Sequence, residues 1–198
     1  MNAGSFKQID QELVKRSVAG DKKAGEELAA ACLPRVYRTV YLLVSNDPEA
    51  EDLVQSAMIQ AFRDLSQFRG SGSFTSWLDR VTVNVVRQHF RRRWVKSLIP
   101  SSDEMDKMPS TGNDSPDKQT EGRRFMQRLS RHLAGIRPKN RMAIVLSLVQ
   151  GYTSSEIALT VGCNLETAKK RLTRGRQDLV ARVQRDPYCR QLLKEMGI

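Results

Sequence analysis

The segment from residue 153 to residue 180 constrains the fold more than any other part of this chain. Thr153 and Glu156 have the S/T-x-x-E spacing that satisfies the first backbone N–H groups of a helix. An apolar stripe follows at helical spacing, formed by Ile157, Ala158 and Val161. The run 162–164 (Gly-Cys-Asn) then interrupts the helix before another starts at Leu165. The pattern predicts two short helices joined by a tight turn, a helix-turn-helix.

The second of these helices is predicted to have an apolar side and a basic side. At about 100° per residue, the side expected to pack on the domain carries Leu165, Ala168, Leu172, Leu179 and Val183. The opposite side carries Lys169, Lys170, Thr173, Arg174 and Gln177, with Arg171 and Arg176 at its flanks. Such side chains bond to base edges in the major groove or to phosphates, so this helix is predicted to bind duplex DNA. An ordinary solvated basic face is the alternative.

Charge is distributed unevenly along the 198 residues. Residues 1–96 carry 15 Lys and Arg against 11 Asp and Glu, residues 97–121 carry 2 against 6, and residues 122–198 carry 16 against 5. The last block therefore has the net charge of the whole chain, +11, and should bind a polyanion through counterion release. A membrane surface is the competing polyanion. The sequence has no apolar run of about 18 residues, no signal-peptide pattern and no lipidation motif, which predicts a cytoplasmic protein without membrane insertion.

Residues 97–121 form the acidic segment between the two basic blocks. Three prolines, many Ser and Asp residues and no aromatic residue leave it too little apolar surface to fold. It is predicted to be a flexible linker, either a solvated spacer or a mimic of nucleic acid that threads a basic channel.

The sequence offers no catalytic or metal-binding constellation. Cys32, Cys163 and Cys189 are far apart and lack C-x-x-C or Cys/His spacing, which predicts reduced thiols without disulfide or zinc. Cys163 is interpreted as a partly buried turn residue, with a redox sensor as the alternative. His89 and His132 lie in basic helices without a carboxylate or cysteine at motif spacing. We therefore expect no enzyme, no catalytic residue, no cofactor, no metal and no small-molecule substrate.

Residues 47–67 are predicted to form a helix with two different faces. Asp47 is expected to be its N-cap, with Pro48 at the first helical position. The predicted buried face contains Ala50, Leu53, Val54, Ala57, Met58, Ala61, Leu65 and Phe68, and the opposite face Asp52, Gln55, Ser56, Ile59 and Arg63. An isoleucine beside a carboxylate and an amide suggests that Asp52, Gln55 and Ile59 dock another protein. A lone exposed apolar side chain is the alternative.

A glycine-containing loop, residues 68–74, leads into the next predicted helix. That helix carries Trp77, Leu78, Val81 and Val85 inward and Arg80, Asn84, Arg87 and Arg91 outward, and a basic run follows to Trp94. Aromatic planes, a flexible loop and cations are what single-stranded DNA requires of a protein. The candidate contacts are therefore Phe68, Ser73, Phe74 and the four outward residues, with core packing as the alternative for Phe74 and Trp77.

The predicted fold is all-α, with two small helical domains joined by the linker. After the linker, apolar residues recur at helical spacing in Phe125, Leu129 and Leu133, and a further helix is expected to start at Pro138 and end at Gly151. Together with the helix-turn-helix, these helices complete a compact four-helix domain. The predicted ranges are 1–96, the linker 97–121, the domain 122–184 and an amphipathic tail 185–198.

These motifs occur together in one family: the chain resembles the extracytoplasmic-function sigma factors, the small two-domain promoter-recognition subunits of bacterial RNA polymerase. The resemblance covers roughly residues 10–184. It is carried by AEDLVQ at 50–55, by FRGSGSFTSWLDRVTVN at 68–84 with the basic run after it, and by GYTSSEIALTVGCNLETAKKRLTRGRQDL at 151–179.

The resemblance implies a sigma region 2-like domain over 1–96 and a region 4-like domain over 122–184. Asp52, Gln55 and Ile59 would dock the clamp helices of the largest polymerase subunit. The melted minus-10 element would contact Phe68, Ser73, Phe74, Arg80, Asn84, Arg87 and Arg91, and the minus-35 duplex would contact Lys169, Lys170, Arg171, Thr173 and Arg174. The linker would pass through the active-site and RNA-exit channels. The implied partners are core RNA polymerase, promoter DNA and, as a further candidate, an anti-sigma factor.

Three departures from the family pattern limit what carries over. Ser56 stands where an acidic residue is common. Ala168 and Gly175 stand where somewhat larger helix formers are common, and Gly175 weakens the second helix of the helix-turn-helix. The tail 185–198 has no assigned role beyond packing or contact with a regulator. Two other functions stay open. One is a sigma mimic that titrates a regulator, which would need no basic recognition face. The other is a duplex-binding repressor, which would leave the aromatic loop and the AEDLVQ face without a purpose.

Overall fold

The computed structural model describes residues 9–45, 47–68, 70, 72–98, 121–184 and 186–195, and the regular elements in these ranges are helices. They are α1 Gln11–Val18, α2 Lys22–Val44, α3 Ala50–Arg63, α4 Phe74–Leu98, α5 Glu121–Ala134, α6 Pro138–Gln150, α7 Ser154–Val161, α8 Leu165–Val183 and α9 Pro187–Glu195. The all-α prediction is confirmed. Apart from the ends of α4 and α5, the predicted linker lies outside the described residues.

Helix α2 is the centre of an N-terminal bundle formed by α1 to α4. Asp21 caps its first turn by accepting a hydrogen bond from the Ala24 N–H at 3.1 Å. Leu28, Val36 and Leu43 are fully buried along its length, and α1, α3 and α4 pack around it. Full burial of each such side chain stabilises the fold by about 1.5–3 kcal/mol. Helix α2 thereby fixes α3 and α4, which carry two of the predicted binding surfaces.

Helix α3 begins at Ala50, three residues after the predicted cap. Its N-cap is Glu49, which makes no side-chain capping bond, so the assignment of Asp47 as N-cap was wrong. Asp47 Oδ1 accepts the Glu49 N–H at 3.0 Å in the turn before the helix. The other carboxylate oxygen faces His89 and Arg93 of α4. These partners are distant in sequence, which explains why the local pattern misplaced the helix start.

In the C-terminal bundle, formed by α5 to α9, the helices α6, α7 and α8 start where the sequence predicts. Helix α6 has Pro138 in its first turn and ends at Gly151, whose φ of 72° is left-handed. Thr153 and Glu156 form the reciprocal capping box, with the Thr153 N–H donating to Glu156 Oε2 at 2.8 Å. Asn164 caps α8 by accepting a backbone N–H at 2.8 Å. The predicted helix-turn-helix is confirmed.

The apolar side of α8 is buried, with one exception. Ala168, Leu172, Leu179 and Val183 are buried as predicted. Leu165 is 40% exposed, so its assignment to the packed side was wrong. Because helical side chains lean towards the N-terminus, the side chain of the first residue reaches past the end of the packed surface.

Gly175 lies where α8 passes close to the backbone of α6. A Cβ at this position would lie 2.9 Å from the carbonyl oxygen of Asn140 and 3.4 Å from Cβ of Ile144. Glycine costs up to about 1 kcal/mol relative to alanine inside a helix. Here the missing side chain allows the two helices to approach, and it thereby fixes the position of the basic side of α8.

The two bundles pack directly on each other. Helix α2 contacts α5 and α6, and α4 contacts α7. The buried Arg141 of α6 donates to the Leu43 carbonyl of α2 at 2.7 Å and to two carbonyls at the C-terminal end of α5. Ser45 Oγ donates to the Ser130 carbonyl at 2.9 Å. One cluster of buried apolar residues runs through both bundles, a contact that no sequence pattern predicts.

The tail contributes α9, which belongs to the C-terminal bundle. Cys189 is fully buried, and the Tyr188 ring lies 6.4 Å from that of Phe125 in α5. Asp186 precedes the helix and accepts the Cys189 N–H at 3.2 Å. The amphipathic pattern of this segment therefore reflects packing against α5 and α8. Within the described ranges, no helix has the length and apolar character needed to cross a membrane.

Candidate nucleic-acid interface

Helix α8 presents the polar side that the sequence assigns to duplex DNA. Lys169, Lys170, Thr173 and Arg174 are exposed, and Arg171 is half-buried. The Lys169 ammonium lies 3.0 Å from Glu166 Oε1, an exposed pair one turn apart. Such pairs contribute less than about 1 kcal/mol, so a phosphate can replace the carboxylate. Helix α8 therefore exposes ammonium, guanidinium and hydroxyl groups, which are the groups that bind DNA phosphates and base edges.

Helix α4 carries the second predicted nucleic-acid surface. Arg80, Asn84, Arg87 and Arg91 are all exposed. The Arg87 guanidinium has a partner in the other bundle, because it donates to the Val161 carbonyl at the C-terminal end of α7 at 2.9 Å. Terminal carbonyls of a helix lack an intrahelical donor and carry partial negative charge, which favours a cation there. Arg87 therefore joins the α4 surface to the helix-turn-helix.

Three aromatic rings pack together where the loop enters α4. The Phe68 and Phe74 ring centroids are 5.2 Å apart in an edge-to-face arrangement, and Trp77 lies 5.9 Å from Phe68 and 5.4 Å from Phe74. Phe74 is only 5% exposed, which favours the core-packing interpretation of this residue. Phe68 and Trp77 are half-buried, and Ser73 is exposed beside them. Part of the Phe68 ring and part of the Trp77 ring therefore remain accessible to a nucleotide base, and the buried Phe74 ring packs against both.

A polar cluster anchors α4 to the turn before α3. His89 Nε2 lies 3.1 Å from Asp47 Oδ2, and the Arg93 guanidinium donates to the same oxygen at 2.5 Å. Burial opposes ionisation of Asp47, but the Glu49 N–H, the His89 imidazole and the Arg93 guanidinium outweigh it and lower its pKa below the usual value. His89 is 6% exposed. We interpret it as a buried residue that positions α4, and its carboxylate partner comes from a distant part of the chain.

A second buried network joins α4 to both bundles. Arg35 of α2 donates to both carboxylate oxygens of Asp79, at 2.8 and 2.6 Å. The Tyr152 hydroxyl lies 2.5 Å from Asp79 Oδ2, to which it donates, and 3.2 Å from Ser76 Oγ. Burial and the Asp79 charge raise the pKa of Tyr152 to about 12, so the phenol remains a donor at neutral pH. The network satisfies a carboxylate that is 1% exposed and ties the start of α4 to the residue before the helix-turn-helix.

The exposed side of α3 is the candidate protein-docking face. Asp52, Gln55 and Ser56 are exposed, and Ile59 is 59% exposed. The opposite side is buried through Leu53, Val54, Ala57 and Ala61, as predicted. The helix ends at Arg63, before the predicted end near Gln67, and a 3-10 turn covers Leu65–Gln67. The face therefore combines one carboxylate, two neutral polar groups and an apolar side chain that a partner could cover.

One cluster of metal-ligating side chain types occurs among the described residues. Ligand atoms of His132, Asp186 and Cys189 lie within 4.8 Å of one another. The carboxylate is already engaged, since it faces His132 at 3.1 Å and Arg128 at 3.4 Å. The His132 hydrogen bond lowers the pKa of Asp186 to about 2, while burial and the Asp186 carboxylate raise the pKa of Cys189 to about 12. A protonated thiol beside a guanidinium disfavours a cation, so we interpret the cluster as the joint between α5 and α9.

Sequence reasoning missed the groups that connect distant elements. His89 and His132 both gain carboxylate partners, and Tyr152 and Arg35 converge on Asp79. The two residues of each pair are 42 to 73 positions apart in the sequence, so no motif with a fixed short spacing could identify them. The signal that could have indicated a constraint was the charge pattern of α4, where Asp79 is the one acidic residue between Phe74 and Leu98.

Two family models match the chain. Sigma-70 region 2 matches residues 28–95, which cover α3 and most of α2 and α4. Sigma-70, region 4 matches residues 126–179, which cover α6, α7 and most of α5 and α8. The α3 face, the aromatic loop and the assigned residues of the helix-turn-helix lie within the matched residues, whereas α1 and α9 lie outside them.

Two relatives align with most of the chain. It is 33% identical over 154 residues to the ECF RNA polymerase sigma factor SigE of Mycolicibacterium smegmatis, which aligns 78% of this chain with 59% of that protein. It is 31% identical over 183 residues to the ECF RNA polymerase sigma-E factor of Escherichia coli K12, which aligns 88% of this chain with 94% of that protein. The chain thus spans nearly the full length of the second relative and about three-fifths of the first.

Solved structures share the fold. The sigma factor RpoE from Bartonella quintana, in complex with the anti-sigma factor NepR, superposes with a TM-score of 0.66 at 22% identity and covers 83% of this chain and 99% of that one. CnrH in complex with the cytosolic domain of CnrY superposes with a TM-score of 0.62 at 20% identity and covers 89% and 98%. At these identities the likeness supports the helical architecture alone.

Proposed function

The chain belongs to the extracytoplasmic-function sigma factors of the sigma-70 family, and we propose that it directs core RNA polymerase to promoters through three surfaces on its two bundles. They are the basic side of α8, the loop and outer side of α4, and the exposed side of α3. The observation that carries the proposal is the capped helix-turn-helix whose second helix exposes Lys169, Lys170, Thr173 and Arg174 on one side.

We assign the basic side of α8 to the minus-35 element as duplex DNA. A recognition helix contacts base edges with side chains that point away from its own domain. Lys169, Lys170, Thr173 and Arg174 meet this condition, while the half-buried Arg171 suits a flanking phosphate. The close packing at Gly175 holds this helix at a fixed depth on α6, which supports a defined docking geometry.

We assign the aromatic loop and α4 to the melted minus-10 element. Bases that leave the duplex stack on aromatic rings, and each stacked base gains about 1–3 kcal/mol. Phe68 offers ring surface, Phe74 supports it, and Ser73 lies exposed at the helix start. Arg80, Asn84, Arg87 and Arg91 then line the outer side of α4 for the phosphates and for an unstacked base. This surface would open a promoter by trapping bases that have unpaired.

We assign Asp52, Gln55 and Ile59 of α3 to docking on core polymerase. Burial of an isoleucine that is 59% exposed would add hydrophobic free energy at the contact, and the carboxylate would pair with a cation of the polymerase. Ser56 in the same face is neutral, so we expect this contact to depend less on charge than it does in relatives with an acidic residue there.

In this proposal core polymerase catalyses RNA synthesis. The chain contributes binding surfaces and acts as a non-catalytic subunit in the cytoplasm, where polymerase and promoter DNA meet. Residues 1–96 would form the minus-10 and polymerase module, 97–121 the linker in the polymerase channels and 122–184 the minus-35 module. An anti-sigma factor is a further candidate partner.

In vitro transcription from a fragmented library of the source genome, with RNA 5′ ends mapped, tests the proposed function. Bacterial core polymerase with the purified chain should give new starts that share two upstream elements. Replacement of Lys169 and Arg174 by alanine should abolish these starts and leave association with core polymerase intact. Replacement of Asp52 and Gln55 by alanine should weaken core association instead.

A matched control separates these effects from a general loss of charge. Lys22 and Lys23 are exposed at the start of α2 and belong to none of the three surfaces, and their replacement by alanine removes the same charge as the α8 variant. This control should retain both activities. Core binding without new starts would favour the sigma mimic, and duplex binding without core association would favour the repressor.

A further inference from the structure

An acidic side chain lies on the side of α8 that we assign to duplex DNA. Glu166 is the second residue of this helix, two positions after the Asn164 cap. At about 100° per residue it falls on the same side as Lys170 and Thr173. Its side chain is 70% exposed. Because the N-terminal residues of a recognition helix lie nearest to the base edges, this carboxylate would enter the major groove.

A carboxylate at this position opposes the binding of DNA in general. Duplex DNA carries one negative charge per about 1.7 Å of its axis, so the phosphates repel Glu166 and attract Lys170 and Arg174. The positive end of the helix dipole favours an acidic residue in the first turn of the free protein. A neutral residue there would nevertheless bind an arbitrary duplex more tightly. Glu166 therefore favours binding only where the DNA offers it a hydrogen-bond donor.

Lys169 pairs with this carboxylate in the free chain. The Lys169 ammonium donates to Glu166 Oε1 at 3.0 Å, and it is the one side-chain partner of Glu166 within the part of the chain that the structure describes. An exposed pair of this kind contributes less than about 1 kcal/mol, so a DNA phosphate can take the ammonium. The carboxylate then loses its partner inside the groove, where an ionised acceptor without a donor weakens the complex.

Cytosine is the base whose major-groove edge suits a carboxylate. It presents the N4 amino group, which is a donor, and no acceptor beside it. Guanine presents two acceptors, and thymine presents an acceptor and a methyl group. Adenine has a donor at N6, but its N7 acceptor lies next to that donor and repels a carboxylate. Three of the four bases therefore leave Glu166 without a favourable contact.

We propose that Glu166 makes α8 selective for cytosine at one position of the duplex element, where its carboxylate accepts a hydrogen bond from the N4 amino group. This inference rests on the proposed function, since it takes α8 to be the helix that reads duplex DNA. The cations of α8 raise the affinity for every sequence alike. Glu166 lowers that general affinity and thereby widens the difference between the promoter and other DNA.

Transcription from a set of altered promoters tests this selectivity in the complete complex. The templates carry every single base-pair replacement in the upstream element of a promoter mapped as above, and the RNA from each is counted with core polymerase and the full chain. Replacement of one C·G pair should lower the RNA about tenfold with the unaltered chain and less than about twofold with Glu166→Ala. Glu166→Gln should prefer adenine at that position, because an amide binds adenine N6 and N7 together.

Asp178→Ala is the matched control, since it removes the same charge from the same helix. Asp178 is half-buried, about three turns beyond Glu166, and belongs to no proposed surface. This control should keep the cytosine preference of the unaltered chain. An equal loss of preference in Asp178→Ala would assign the effect to net charge and overturn the proposal. A Glu166→Ala variant with the unaltered preference at every position would overturn it too, while the proposed function stood.

The affinity for a duplex without the element gives an independent readout. Removal of the repelling carboxylate in Glu166→Ala should tighten this binding about threefold in anisotropy titrations of the full chain. An unchanged affinity would contradict the repulsion that the proposal requires. Absence of promoter-dependent starts with the unaltered chain is a different result, because it would remove the proposed function and this inference with it.

Discussion

Tyr152 and Asp79 are bonded across the two bundles, with the phenol oxygen 2.5 Å from the carboxylate oxygen Oδ2. Tyr152 directly follows Gly151, the left-handed residue that ends α6, and directly precedes the capping box of α7. The bond therefore fixes the entry to the helix-turn-helix against the start of α4.

Removal of the Asp79 carboxylate should destabilise the protein strongly. Asp79→Ala removes the bidentate partner of Arg35, which is 8% exposed, and breaking a buried ion pair by removing one partner costs about 3–5 kcal/mol. Glu166→Ala breaks the exposed pair with Lys169 and should cost less than about 1 kcal/mol. Urea unfolding monitored by circular dichroism measures both. Similar losses in the two variants would contradict the role of the buried network.

Gly175 and Gly25 should respond in opposite ways to alanine. Gly175→Ala places a Cβ 2.9 Å from the Asn140 carbonyl oxygen, so α8 must shift away from α6 and the protein loses roughly 1–3 kcal/mol of stability. Gly25 lies inside α2, where a Cβ would meet nothing within 4 Å, so alanine should add about 0.5–1 kcal/mol. Thermal unfolding of the two variants compares them. Stabilisation by Gly175→Ala would show that helix propensity outweighs the close approach.

The joint between α5 and α9 should weaken in acid. The pKa of Asp186 lies near 2 in the folded chain and near the ordinary value of about 3.9 when unfolded. Its stabilising effect is therefore fully present above about pH 4 and is lost as the pH falls towards 2. Since 17% of this side chain is exposed, solvent screening limits the effect to about 1 kcal/mol. The difference in unfolding free energy between the unaltered chain and Asp186→Asn should shrink from pH 6 to pH 3, and a constant difference would argue against the ionised carboxylate.

Salt dependence should separate phosphate contacts from base contacts on α8. If Lys170 binds a phosphate, Lys170→Ala lowers the slope of log K against log salt by about 0.9 for duplex DNA and weakens all sequences alike. If Arg174 reads a base, Arg174→Ala should reduce the preference for the promoter and cost about 1–3 kcal/mol at that sequence. Anisotropy titrations at several salt concentrations test both. Identical slopes and preferences in the two variants would refute this division of roles.

Cys163 should be the most reactive of the three thiols. Burial raises the pKa of Cys32 and Cys189 to about 12, so both stay protonated and shielded at neutral pH. Cys163 is half-buried in the turn before α8. Mass spectrometry after brief treatment with iodoacetamide should show one modification, which Cys163→Ser removes. Two rapid modifications in the native chain would contradict the burial of the other thiols.

The sequence predicts those parts of the fold that short-range chemistry determines. The capping box of Thr153 and Glu156, the proline start and glycine end of α6, and the two faces of α3 all follow from residues within about one or two helical turns of one another. The predicted basic side of α8 is exposed for the same reason. The surfaces proposed for DNA and polymerase could therefore be located before the fold was known.

The remaining features depend on residues that meet after folding. Asp47 was misassigned as a cap because its partners His89 and Arg93 lie on α4. Leu165 was misassigned as buried because periodicity does not tell where a packed surface ends. Arg87 was correctly placed on the outer side of α4, but its bond to Val161 depends on the packing of the two bundles. Contact between domains joined by a linker leaves no periodic signal in either domain.

The acceptors of Arg141 are backbone carbonyls, and this has a consequence for how the protein can vary. The guanidinium binds the end of α2 through Leu43 and the end of α5 through Ala134 and Ile136. Carbonyl oxygens are present whatever side chains those positions carry, so neighbouring residues can diverge without loss of these bonds. A lost arginine, in contrast, has no complementary change that restores the bonds elsewhere. We therefore expect the side chains around position 141 to vary freely, whereas replacement of Arg141 itself should not be tolerated.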